Sequence, residues 1–394
     1  MIDDIICQNR KLLLEHIRTR HLKRIFDSDG PVFYISDTYA GVWLEHCLDA
    51  VIWSEMCGSA EIAENQLGLF IKHQKPDGQL PFMVSEGGPG YSHLQECVSF
   101  GSLCLDTYRL NHDKQFLLKC RESVKKWVKW LEVNRMPSGK GLVEAFCGYD
   151  TGHDNSPRHN GFKYPKAVCG DASALPAGCE VLPGIFPDIN AVYYGNLRAL
   201  SDMEALSGNS GESEKYDAKA REVRRRIHEI CFCNEDCFFY DVDKHGKMRK
   251  LKTAAITNVL YENVPDEALS GQIITKYILN EREFKTPYPF PAVSVSEPLW
   301  IKNTQGNSWG YYSQALTALR ATRWMKRTGR NDELKDAVCQ WVKAANNAPE
   351  HTFGQELDPF TGEFSSASPW YSSCMLLYLS ATDEMNGSLS CFDE

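Results

Sequence analysis

Ser308-Trp309-Gly310-Tyr311-Tyr312-Ser313-Gln314-Ala315-Leu316-Thr317-Ala318-Leu319-Arg320-Ala321-Thr322-Arg323-Trp324-Met325-Lys326-Arg327-Thr328 is the stretch from which the fold is read. Leu316, Leu319 and Trp324 recur at helical spacing, so the segment predicts an amphipathic helix. The same spacing recurs along the chain, beginning with Leu12, Ile17 and Leu22. Helices are expected over Ile5–Phe26, Gly41–Met56, Ala60–His73, Ser92–Asn111, Lys114–Asn134 and Asp188–Leu206. Six more follow over Glu212–Ile230, Leu251–Tyr261, Glu267–Leu279, Ser308–Thr328, Asp332–Ala345 and Pro369–Met385. Twelve helices at roughly 30 residues per pair imply an all-α protein, six hairpins closed into an (α/α)6 barrel. Two long loops, Arg135–Asp188 and Phe284–Asn307, are rich in Gly, Pro and aromatic residues, and loops of that length are usually functional. They are expected to lie over one mouth of the barrel. The stretch from Cys237 to Met248 reads as a hairpin turning at Gly246.

The chain has 394 residues, long for one hydrophobic core but within reach of a helical toroid, so residues 1–394 are read as a single domain. A net charge of -9 opposes a nucleic-acid binder and suits a neutral substrate. No apolar run approaches 18 residues, so no membrane span is expected. The N-terminal residues lack the basic, apolar and small-residue order of a secretory signal. The 15 cysteines are odd in number and scattered, many on apolar helix faces (Cys47, Cys57, Cys97, Cys104, Cys120, Cys339, Cys374), which fits reduced thiols in a cytoplasmic protein. Cys231, Cys233 and Cys237 cluster but lack a well-spaced fourth ligand. Neither a metal nor another cofactor is expected. Oligomeric state is not legible.

Two polar segments carry the candidate chemistry. The first, Tyr149-Asp150-Thr151-Gly152-His153-Asp154-Asn155-Ser156-Pro157-Arg158, presents Asp154 on a turn, between a glycine able to take positive φ and a proline-fixed bend. Tyr149 and Arg158 add a ring face and a planar cation. The second, Phe353-Gly354-Gln355-Glu356-Leu357-Asp358-Pro359-Phe360-Thr361-Gly362-Glu363, sets Glu356 before a rigid turn. Ser368-Pro369-Trp370-Tyr371-Ser372 follows, with Trp370 expected to open the last helix.

Gly152 to Arg158, together with Glu356-Leu357-Asp358-Pro359-Phe360-Thr361-Gly362 and Trp370-Tyr371-Ser372, resembles glycoside hydrolase family 63. The likeness is to its compact mannosylglycerate and glucosylglycerate hydrolase type and, more distantly, to the family 37 trehalases. It runs in order over nearly the whole chain. The resemblance implies sugar contacts from Tyr39, Trp43, Gln95, Asn155, Asp188, Asn190, Trp309 and Trp370, with Trp309 stacking on a pyranose ring. Where the family carries a Trp followed shortly by a sugar-binding Asp, this chain has Trp43 with Glu45 and His46 and no Asp. That departure leaves the sugar open. Gln74-Lys75-Pro76-Asp77-Gly78-Gln79-Leu80-Pro81 matches a family loop, although its Asp-Gly turn needs no functional reason. Asp188 is also a good local N-cap, and Gln95 is also an ordinary helix residue.

Cleaving a glycoside requires an acid to protonate the leaving oxygen and a carboxylate that attacks the anomeric carbon or activates water. Asp154 is read as the acid. The resemblance implies that Glu356 is the base of an inverting mechanism, with the carboxyls roughly 6.5–9.5 Å apart. Glu363 is the rival base. To keep its proton, Asp154 needs burial or a neighbouring negative charge, so Arg158 is expected to point at the sugar or at Asp188. The implied substrate is a small α-glucoside or α-mannoside, and Arg158, Lys163 and Lys166 are the cations available for an aglycone carboxylate. The alternatives are a sugar epimerase or isomerase drawing on His46, His93, His153 and His159, and a non-catalytic carbohydrate-binding protein.

Overall fold

The computed structural model describes residues 2–159, 164–168, 174–175, 178–300, 302, 307–348 and 352–384. Twelve α-helices appear among them: α1 Ile2–His16, α2 Cys47–Cys57, α3 Glu61–Lys72, α4 Phe100–Asn111, α5 Lys114–Asn134, α6 Pro187–Leu206, α7 Ser210–Cys231, α8 Ala255–Tyr261, α9 Glu267–Ile273, α10 Ala315–Arg327, α11 Asn331–Asn347 and α12 Ser372–Glu384. The even-numbered helices form a closed ring, α2 on α4, α4 on α6, α6 on α8, α8 on α10, α10 on α12 and α12 back on α2. Odd-numbered helices pack outside it, as α3 does on α2 and α7 on α6. This is the expected (α/α)6 barrel.

Periodicity separates the two layers. In α7 the buried residues are Ala220, Val223, Ile227 and Cys231, one stripe facing inward with charge elsewhere. In α2 every residue from Cys47 to Ser54 is buried, because an inner helix meets neighbours on all sides. Among the described residues no helix is long and apolar enough to cross a membrane.

Several helices begin later than the sequence predicts. The segment before α2 is a strand, Gly41–Trp43, and a 3-10 turn, Leu44–His46. Residues 92–99 form a loop rather than the start of α4, and α10 begins at Ala315 rather than Ser308. Trp370 has φ of 55° and stands outside α12. These lead-in segments are as buried as the helices they precede, so their apolar pattern continues the helical one while the chain itself folds across the barrel mouth. Short antiparallel pairs stitch them together: Gly41–Trp43 with Met83–Ser85, Glu144–Ala145 with Gly184–Ile185, and Ser313–Gln314 with Glu356–Leu357. The expected hairpin is present, Asp241–Val242 pairing with Met248–Arg249. Twelve described cysteines are free thiols. Cys339 corrects the reading of uniformly reduced thiols, since it is disulfide-bonded, a pairing that scattered spacing along one chain cannot reveal.

Candidate active site

The lead-ins to α2, α4, α6, α10 and α12 converge, and the candidate residues lie on them. Asp154 follows Gly152, whose φ is 70°. A Cβ at Gly152 would stand 2.4 Å from Glu45 Oε2 and 2.9 Å from Cys97 Sγ, so only glycine lets this loop lie against the Glu45 carboxyl. Beneath the loop, buried Asp150 pairs with Arg135 and accepts from the Phe146 and Leu94 amides (2.7 and 2.9 Å). That network fixes the platform from which Asp154 projects.

Asp154 and Glu356 are held by neighbouring residues of one segment, Asn307 to Trp309. The Trp309 amide donates to the Asp154 carbonyl (2.9 Å), and Asn307 Nδ2 lies 3.4 Å from Asp154 Oδ2. Between them the Ser308 amide donates to both oxygens of Glu356 (3.0 and 3.3 Å). Glu356 sits on a two-residue strand opposite Gln314, itself inside the barrel. Asp154 Oδ1 has no protein hydrogen-bond partner.

Burial raises both carboxyls, Asp154 to about 6 and Glu356 to about 8, because a charge withdrawn from water loses its hydration. Hydrogen bonds from Ser308 and Gln314 oppose the rise at Glu356; the Asn307 contact and the charge of Lys166 oppose it at Asp154. Tyr39 lies in the field of Asp154, Glu45 and Glu356 together; burial and those charges raise its phenol to about 12. It marks the point on which the three acids converge.

Glu45 and His46 have different partners. Glu45 is buried beneath the Asp154 loop, accepting from Gln95 Nε2 (2.9 Å) and the Cys97 thiol (3.5 Å). Burial raises it to about 8, the charge on Arg320 opposes that rise, and Asp154 adds to it. His46 meets the Tyr371 hydroxyl through Nε2 at 2.5 Å, with its Nδ1 3.5 Å from Glu45 Oε1. Gln95 is on a loop with φ of 48°, held between His93 Nε2 (2.7 Å) and Glu45. Trp43 packs edge-on against Tyr39 at 5.7 Å.

Other expected sugar contacts are spent on the scaffold. Asn190 bonds the backbone of Val143 and Phe186 through its whole amide, because it staples the loop before α6 to the strand at 144–145. Arg158 takes the second of its two expected directions: it grips Asp188 (2.6 and 2.9 Å), binds Asp241 and lies over the Phe186 ring. Both Asp188 oxygens are thereby engaged. Asn155 is exposed and donates to the Asn307 carbonyl at 2.9 Å, so it braces Asn307 from outside. Trp309 is 3 % exposed and stacks on His153 at 4.1 Å, so one of its two faces is covered. Trp370 stacks on His16 at 4.0 Å. Tyr149 is half-buried against His93, with Lys166 over its ring.

Glu363 is exposed, whereas Glu356 is buried. Lys163 lies outside the described residues. His153 and His159 are driven to about 3 by burial, with Arg158 adding to the shift, and His153 is covered by Trp309, so paired imidazole acid-base chemistry has no support here. Sequence reasoning missed Arg320, a buried cation on α10 that donates to the Glu45 carbonyl at 3.3 Å. An arginine inside an apolar stripe was the available signal. The cavity of about 1120 Å³ at the far end of the barrel is lined by Glu55, Arg198, Glu262, Arg323 and Arg327 and touches neither Asp154 nor Glu356.

Residues 47–373 match the model of the mannosylglycerate hydrolase MGH1-like glycoside hydrolase domain. The chain belongs to that family. It is a glycoside hydrolase, and the resemblance to family 63 holds. The family 63 mannosylglycerate hydrolase from Thermus thermophilus, solved with Tris, is 17% identical with a TM-score of 0.71, over 95% of this chain and 99% of that one. Neutral trehalase Nth1 from Saccharomyces cerevisiae is 13% identical with a TM-score of 0.68, over 91% and 76%. At these identities the likeness is one of fold. An uncharacterized protein of Borreliella burgdorferi is 27% identical over 130 residues, 33% of this chain and 26% of its own length, so the matched segment spans about a quarter of that relative.

Replacing Arg158 of this glycosidase by Met is expected to destabilise it by about 3–5 kcal/mol, because Asp188 and Asp241 would be left buried without their cation. Urea unfolding measures the loss; a change below about 1 kcal/mol would mean that the triad contributes little.

Proposed function

We propose that this glycoside hydrolase is an inverting α-glycosidase for a small α-glucoside or α-mannoside, with Asp154 as general acid and Glu356 as general base. The reading rests on one observation, that both carboxyls are bound to the segment Asn307–Trp309. Asp154 has an oxygen free of protein partners, suited to donating a proton to the glycosidic oxygen. Glu356 has both oxygens aligned by an amide, as orienting a water requires. Glu45, Gln95 and Tyr39 supply the polar groups nearest Asp154 and are proposed to bind sugar hydroxyls. The closed helix ring supports a single domain over 1–394. The charge of Lys166 reaches Asp154, so an aglycone carrying a carboxylate, such as glycerate, fits this side of the mouth; mannosylglycerate, glucosylglycerate and trehalose are the first substrates to test.

Proton NMR during hydrolysis of α-glucosides, α-mannosides and α-galactosides reports sugar and stereochemistry together. The first anomer released is expected to be β. Initial appearance of the α anomer would require a retaining mechanism and withdraw Glu356 as base.

A further inference from the structure

We propose that His16, His21 and Asp37 form a binding site for a divalent transition-metal ion of the zinc class, fastening the mouth loop to the end of α1. The local backbone is built for it. After His16 the chain turns through a π-helix, Ile17–His21, closed by the Leu22 amide on the Ile17 carbonyl. Residues five apart diverge by about 140° on an α-helix; the wider i to i+5 turn brings them toward one side, and such turns often occur at functional sites. His16 and His21 are that pair. Their ring centroids are 5.2 Å apart.

The donor atoms point to a ligand. One nitrogen of each ring and a carboxylate oxygen of Asp37 all lie within 4.8 Å of one another, with His16 Nε2 at 3.8 Å from Asp37 Oδ2. A tetrahedral ion with bonds of about 2.0–2.2 Å needs donors roughly 3.3–3.6 Å apart, so a small closure completes the set. His21 is fully buried, and its Nδ1 lies 2.8 Å from the Tyr34 carbonyl. A carbonyl cannot donate, so the proton is on Nδ1 and the lone pair is on Nε2, the arrangement that orients metal-binding imidazoles. His21 Nε2 and His16 Nε2 are both buried without a protein hydrogen-bond partner. Trp370 holds the His16 ring flat at 4.0 Å.

Two imidazoles and one carboxylate favour zinc-class ions over magnesium or calcium. Asp37 is 47% exposed, which leaves a fourth position for water. Asp37 also stands two residues before Tyr39, so an ion here would tie the loop bearing Tyr39 to an outer helix.

The test is calorimetric titration of Zn2+ into chelator-stripped protein, with Co2+ as a spectroscopic probe. One ion per chain is expected, with affinity falling roughly 100-fold or more in His16→Ala and in His21→Ala. Thermal stability should rise with Zn2+ in the wild type and not in either variant. His16→Ala, at the partly exposed ligand, carries the test if His21→Ala fails to fold. The other candidate cluster among the described residues is Cys233, Glu235 and Asp236, so Cys233→Ser should bind as the wild type does and Co2+ should show no thiolate charge-transfer band. Unchanged binding in His16→Ala, loss of binding in Cys233→Ser, or no binding by the wild type would overturn the proposal.

Discussion

Asp154→Asn is expected to fold normally and to lose about 10²–10⁴-fold in kcat/KM on an alkyl glycoside such as trehalose or mannosylglycerate. The amide preserves shape and the long contact with Asn307 but carries no proton to give. A barrier increase of about 3–5 kcal/mol corresponds to that range. The leaving group separates this role from a merely structural one. A dinitrophenolate leaves without protonation, so the variant should retain most of its activity on the dinitrophenyl glycoside of the same sugar. Equal losses on both substrates would mean that Asp154 positions the sugar or holds the loop. Full activity on the alkyl glycoside would remove it from the mechanism.

Why some of this was legible in the sequence and some was not follows from the reach of each interaction. Inner and outer helices announce themselves through apolar spacing, a property of the residues within one helix. Asp154 and Glu356 stand out because glycine and proline fix the turns around them, again within a few residues. Asn190 and Asp188 carry the same local signal, a helix start with polar side chains, but their partners are Val143 and Arg158, set far along the chain, and these decide that they brace the scaffold. Glu45 and His46 were indistinguishable until the 3-10 turn at Leu44–His46 sent one toward Gln95 and the other toward Tyr371. Arg320, an arginine inside an apolar stripe, signalled burial but not its partner, because the Glu45 carbonyl it meets lies 275 residues away along the chain. Late helix starts have the same origin: lead-ins buried by distant loops read as helix.

Glu356→Gln is expected to cost at least as much, about 10²–10⁴-fold, and on every substrate. Activation of water is needed whatever the leaving group, so the dinitrophenyl glycoside should not rescue this variant as it rescues Asp154→Asn. The pH dependence follows from the raised carboxyls. Glu356 must be ionised, with a value near 8, and Asp154 must hold its proton, with a value near 6; because the base is the weaker acid, activity rises up to about pH 6 and falls above about pH 8. The product is a bell centred near pH 7, whose limbs belong to the pair rather than to either residue. With the values in that order, the competent form, Asp154 protonated and Glu356 ionised, is only roughly one molecule in a hundred at the optimum. Removing the acid exposes the base. Asp154→Asn acting on the dinitrophenyl glycoside should lose the falling limb and rise with pH to a plateau above about 8. A plateau reached already below pH 6 would mean that the Ser308 amide and Gln314 outweigh burial at Glu356, and a pH-independent rate would show that Glu356 is not the group that takes the proton from water.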